Sequence, residues 1–202
     1  VSAPPDSALA GEWAAALIHG RRTVLPANLA DPAPDAEQLQ RILAAAAAAP
    51  DHHDLVPWRF VIIPSAARPA LAGAFEAALL ERDPQADSEQ RGKAREKAFR
   101  SPLLMLAVVR LADEDAEIPA QQRLVSAGCA IQNMLLMATA FGYGSALTSG
   151  KALDSRALRE LFGLARDEQA LCFVSVGTVA GPRRNRVRAG TDRYVTQLQV
   201  RS

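Results

Sequence analysis

The sequence predicts an α+β fold in which helices cover a central mixed or antiparallel sheet. Apolar, β-branched runs recur at residues 60–63, 103–111 and 171–179, and such runs read as strands. Helical apolar spacings lie between them. The connections suit crossovers rather than tight hairpins, and no repeat or strong linker divides the 202 residues. One compact domain with a sizeable core follows. The expected boundaries are a disordered N-terminal extension over residues 1–12 and a single domain over residues 13–202.

Each element has a local reason. Residues 13–18 read as a short helix with Trp13, Leu17 and Ile18 on one face and Gly20 as its stop. Three prolines make residues 26–34 a loop. Asp35 with Gln38 three residues later forms a capping box, and Leu39, Ile42, Leu43 and Ala46 continue at helical spacing until Pro50. The polar stretch 51–54 interrupts the pattern before the strand at 60–63. Ser65 is the expected cap of a helix with Leu71, Phe75, Ala78 and Leu79 inward. Residues 81–100 are charged and read as an exposed, partly helical connection.

The run 103–111 is nearly continuous apolar sequence, as in a strand covered on both faces. Residues 121–141 carry the longest helical pattern, apolar most of the way round, so that helix is buried in a core or against a partner subunit. Residues 145–149 read as a short strand or loop. Asp154 is the expected cap of a helix ending near Gly163. Residues 171–179 are a strand, and the tail 193–200 is expected to add a final one.

Composition excludes some classes. The net charge is only +1, without the basic excess of a domain that grips nucleic acid by its phosphates. A small anion needs only a few placed arginines. No run approaches the ~20 apolar residues that span a bilayer, and residues 1–11 lack the pattern of a signal peptide. A cytoplasmic protein is the expectation. Cys129 and Cys172 show no CxxC spacing and read as free thiols in a reducing compartment.

Three segments carry candidate chemistry. Arg21-Arg22-Thr23 offers two guanidinium groups and a hydroxyl, suited to phosphate or to a solvated turn. The late arginines Arg183, Arg184, Arg186 and Arg188 are either a surface loop or the other half of one anion pocket. Asp51-His52-His53-Asp54, ahead of Pro57-Trp58-Arg59-Phe60, sits in a loop between helix and strand. Its adjacent histidines admit ligand contacts, structural capping or a metal. No nucleophile elbow, Walker loop or HExxH helix is present, and Gly142-Tyr143-Gly144 ends a helix rather than opening one.

Taken in order, these pieces resemble the FMN-dependent nitroreductase family, especially its compact members. The similarity runs from about Leu17 to Val200. It comprises Arg21-Arg22-Thr23, the Glu37-Gln38-Leu39 helix ending in Ala-Pro, the Pro50-to-Phe60 segment, Ser126-Ala127-Gly128-Cys129-Ala130, Gly142-Tyr143-Gly144, Leu161-Phe162-Gly163 and Val176-Gly177-Thr178. The resemblance implies an intertwined homodimer with FMN at the subunit interface. Arg21, Arg22 and Thr23 would hold the phosphate and ribityl chain, with Arg186 and Arg188 assisting. His52 and Asp54 would reach FMN from the partner subunit, with Ala48 a smaller contact. Leu147, Thr148 and Ser149 would lie along the flavin ring.

The implied activity is ping-pong hydride transfer from NADH or NADPH, through FMN, to a nitroaromatic, quinone or similar acceptor. No catalytic side chain or metal is required, because the flavin carries the chemistry. A flavin-storage protein without efficient turnover is the alternative. Asp54 replaces a frequent Asn, Val56 a frequent Gln and Leu147 a larger aromatic. These departures bear on acceptor preference.

Overall fold

The computed structural model describes residues 7–112, 118–181 and 187–200. The helices are α1 (Ser7–Gly20), α2 (Ala36–Ala44), α3 (Arg68–Arg82), α4 (Ser88–Glu96), α5 (Ala120–Ala140) and α6 (Arg156–Phe162). The strands are β1 (Leu29–Ala30), β2 (Trp58–Ile62), β3 (Leu103–Arg110), β4 (Gly144–Thr148) and β5 (Glu168–Val179). All five strands join one sheet, ordered β1-β5-β3-β2 with β4 also on β5, and every strand pairing is antiparallel. The expected α+β class is observed.

Burial on both faces of β3 sets the three-layer architecture. Met105 and Ala107 pack with Val174 and Val176 against Ile42 of α2 and Met134 of α5. Leu104, Leu106 and Val108 pack against Leu71 of α3, Ala94 of α4 and Leu158 of α6. The period-2 alternation of a strand thus feeds two cores. A β-bulge falls where Ala107 pairs with Cys172 and Val108 with Ala170, leaving Leu171 as the extra residue. It lets Cys172 face the α5 side while Ala170 faces α3. Burial pushes the Cys172 thiol up to about 11, so it is inert packing.

Several local expectations hold atom by atom. Asp35 accepts from the Gln38 N–H at 2.8 Å and Gln38 returns the bond, closing the capping box. Gly163 ends α6 at φ 55, where a side chain would be strained. Other expectations need correction. Helix α1 begins at Ser7, so residues 7–12 are helical rather than disordered; an alanine-rich stretch favours that. Trp13 and Ile18 on this helix are exposed. The 26–34 loop contains a 3₁₀ turn (Pro26–Asn28) and β1. Ser65 opens a 3₁₀ turn, and α3 starts at Arg68 without a side-chain cap. The cap of α6 is Ser155, which accepts from the Leu158 N–H, while Asp154 closes the preceding turn. Helix α4 has its own capping box, Asp87 with Gln90. The tail does not form a strand among the described residues. Residues 193–200 are exposed and take part in no strand pairing.

At one end of the sheet Arg59 grips Glu168 through two bonds of 2.6 and 2.8 Å. The Arg59 hydrogen bond, with the Ala165 N–H, holds the Glu168 carboxyl down at about 2, from an ordinary 4.5. A depressed folded-state pKa stabilises the fold above the unfolded value. That contribution is lost as pH falls from about 4.5 toward about 2. We expect acid unfolding of Glu168→Gln to be shallower over this window than that of the parent, as urea titrations at stepped pH would read. Parallel curves would refute it.

Candidate functional site

The segment after α1 is laid along the edge of β4. Thr23 bridges Ser145 in parallel, and the Val24 N–H donates to the Ser145 carbonyl at 2.9 Å. Gly144 leaves room for this packing, since a Cβ there would stand 3.0 Å from Val24 Cγ2. The same Cβ would stand 2.7 Å from Val179 Cγ2 and 2.9 Å from Leu29 Cδ2. Arg21 and Arg22 are thereby fixed beside the C-terminal end of α1, whose free carbonyls favour cations. The Arg22 guanidinium donates to the carbonyls of His19 and Arg21.

From the far end of the chain, 167 residues away, the Arg188 Nη2 donates to the Arg21 carbonyl at 2.9 Å. The two basic segments therefore meet. Burial lowers the Arg21 pKa, and the charges of Arg188 and Arg22 lower it further. Among the described residues, none of the three is paired with a carboxylate. Three like charges held together by backbone carbonyls are destabilising alone and fitted to a multiply charged anion. Arg186, with Arg183 and Arg184, lies outside the described residues.

A cavity of about 640 Å³ opens nearby, within the range of small-molecule sites. Thr148 and Ser149 line it, as do Phe75, Leu104 and Phe173. Leu147 does not line it and is half exposed, because alternate residues of β4 face opposite sides. Lys93 and Lys97 of the α4 region also line the cavity, and the sequence reading missed them. The signal was present: i and i+4 share a helical face, but the charged segment around them read as solvated connection.

Ala48, His52 and Asp54 are exposed, and none lines this cavity. The loop that carries His52 and Asp54 is strained. His53, Asp54 and Val56 adopt φ of 56°, 53° and 45°, unusual for any non-glycine and most of all for a β-branched residue. Asp51 pins the loop: its Oδ2 accepts from the Val56 N–H at 2.6 Å, while Oδ1 is buried without a donor among the described residues. The His52 and His53 rings stack at 4.2 Å. Val56→Gly removes the strained Cβ. We expect it to raise stability by roughly 1 kcal/mol, and a melting temperature unchanged or lowered would contradict that reading. Among the described residues, no group of three or more His, Cys, Asp or Glu is placed to hold a metal.

Comparison with known proteins gives a consistent picture. The family model described as "Nitroreductase family" matches residues 18–178. The Escherichia coli (strain K12) protein named "Putative NAD(P)H nitroreductase YdjA" is 35% identical over 162 residues, covering 80% of this chain and 86% of that one. A Haemophilus influenzae protein named "Putative NAD(P)H nitroreductase" is 36% identical over 151 residues, 75% of this chain and 81% of that one. Among solved structures, the nitroreductase-like family protein from Bacillus cereus superposes with a TM-score of 0.77 at 18% identity, over 98% of this chain and 99% of that one. The FMN-dependent nitroreductase NfnB from Mycobacterium smegmatis, solved with NADPH, gives 0.71 at 18% identity, over 94% of this chain and all (100%) of that one. At that identity the structural likeness bears on the fold.

Proposed function

The chain belongs to the nitroreductase family, and on that premise we propose that it is an FMN-dependent oxidoreductase. It carries two electrons from NADH or NADPH to a small electron-poor acceptor such as a nitroaromatic or a quinone. The single observation that most supports this is the meeting of Arg21, Arg22 and Arg188 without a carboxylate. That donor set fits the FMN phosphate.

Arg21, Arg22 and Arg188 would hold the phosphate, and Thr23 would contact the ribityl chain. Thr148 and Ser149 line the cavity wall, where they would orient the ring. Phe75, Leu104 and Phe173 keep water from the reacting face. When bound, FMN supplies the two-electron relay between nicotinamide and acceptor. In sum, NAD(P)H and one proton yield NAD(P)⁺, and a quinone gains two electrons and two protons to become a quinol. Reductant and acceptor use the one cavity in turn, so turnover is ping-pong.

The site is completed by a second copy. Ala48 at the end of the turn after α2, and His52 and Asp54 on the stiffened loop, stand exposed, as suits residues that serve a neighbour's cofactor. Val125 of α5 (66% exposed), Trp13 of α1 (58%) and Leu198 of the tail (92%) leave apolar surface for that association. The test is simple. Purified protein takes up FMN and turns yellow, anaerobic NAD(P)H bleaches it, and an added quinone restores the colour. A protein that takes up no FMN would overturn the proposal. One that is yellow but never bleached would be a flavin store.

A further inference from the structure

The cavity carries more positive charge than FMN accounts for. Arg82, Lys93, Lys97, Arg100 and Lys151 line it, and no Asp or Glu does among the described residues. They come from separate places: the end of α3, α4 and the turn after it, the approach to β3, and the turn after β4. Lys93 pairs with Glu89, an exposed i,i+4 contact that neutralises it only weakly. The other four have no carboxylate partner among the described residues. The FMN phosphate is met by the arginine cluster, none of whose members lines the cavity. A flavin ring gives use to one further cation at most.

We propose that the acceptor handled here is an electron-poor aromatic bearing an anionic group such as a carboxylate. The assignment rests on the FMN reading above and deepens it. A cleft lined by one sign of charge with low-dielectric walls focuses its field and concentrates counter-charged ligands. Phe75, Leu79 and Phe173 provide the apolar wall for the aromatic body, and the cations take the anionic substituent. A neutral isostere gains only the wall. The nicotinamide co-substrate is also anionic, so the experiment must exclude it.

Holoenzyme reduced photochemically, with no nicotinamide present, is mixed anaerobically with 4-nitrobenzoate or with 4-nitrobenzamide. Flavin reoxidation is followed by stopped flow. The amide is the slightly more electron-poor of the two, so intrinsic chemistry alone does not favour the acid. We expect the second-order rate for the carboxylate to exceed that for the amide by about tenfold or more at low salt, within the span that steering supplies. The ratio should approach unity in about 0.5 M salt. It should also fall to within about threefold in Arg82→Gln/Lys151→Gln. Unreactive benzoate should likewise bind the oxidised protein more tightly than benzamide in a calorimetric titration, a readout independent of turnover. Equal rates and equal binding at low salt overturn this assignment while leaving the flavin reading intact. Absence of FMN uptake overturns both.

Discussion

Replacing Arg21 and Arg188 together by glutamine is expected to lower FMN affinity by roughly two to four orders of magnitude, at about 1.5–3 kcal/mol per lost charge-assisted bond. Melting of the apoprotein should change by no more than about 1 kcal/mol, the scale of an exposed polar contact. The contrast follows from what the two side chains do. Arg188 makes one exposed bond to the Arg21 carbonyl, and Arg21 is depressed by burial and by two like charges. Folding gains little from either guanidinium, and relief of repulsion offsets the lost bond. Ligand binding gains much, because the phosphate turns a repulsive group into a neutralised one. Fluorescence titration of apoprotein with FMN, beside thermal melts of the same samples, reads both quantities. Equal losses of stability and affinity would point to a structural cluster instead.

The largest effect on stability is expected from Leu106→Ala. Leu106 is fully buried at the middle of β3, packed in the core formed with α3, α4 and α6. Removing its branched end should cost about 2–5 kcal/mol, the transfer term plus a cavity that neighbours cannot close. Collapse is hindered because β3 is flanked by β2 and β5 and packed on both faces. Against a total of about 5–15 kcal/mol for a domain, that is a large fraction. Because Leu104 lines the cavity from the same face of β3, FMN should rescue part of the loss by mass action. Urea denaturation with and without FMN measures both effects. A cost below about 1 kcal/mol would mean this core is looser than its burial indicates.

The fold was legible where local physics decides it. The nearly continuous apolar run at 103–111 announced a strand covered on both faces, and the Asp35–Gln38 box fixed the start of α2. The site was legible in part. Arg21 and Arg188 stood out as basic clusters, but only the structure brings them together. Thr148 and Ser149 reach the cavity while Leu147 does not, a matter of strand parity set by the register of β4 on β5. Lys93 and Lys97 went unnoticed because solvated and cavity-facing lysines look alike in a charged helix. The strain at Val56 was invisible, since backbone angles of this kind are imposed by surrounding structure rather than by residue type. The tail 193–200 has the pattern of a strand but runs exposed without strand pairing, because pattern alone does not supply a partner edge.

The claim on which the rest depends is that the arginines gathered from both ends of the chain grip a phosphate. Comparing FMN with riboflavin, which differs only in lacking that phosphate, isolates it. Equilibrium titration of the apoprotein with each should show FMN bound at least about a hundredfold more tightly, with the advantage shrinking as salt rises. Equal affinity for the two flavins, at low salt and high, would contradict the account.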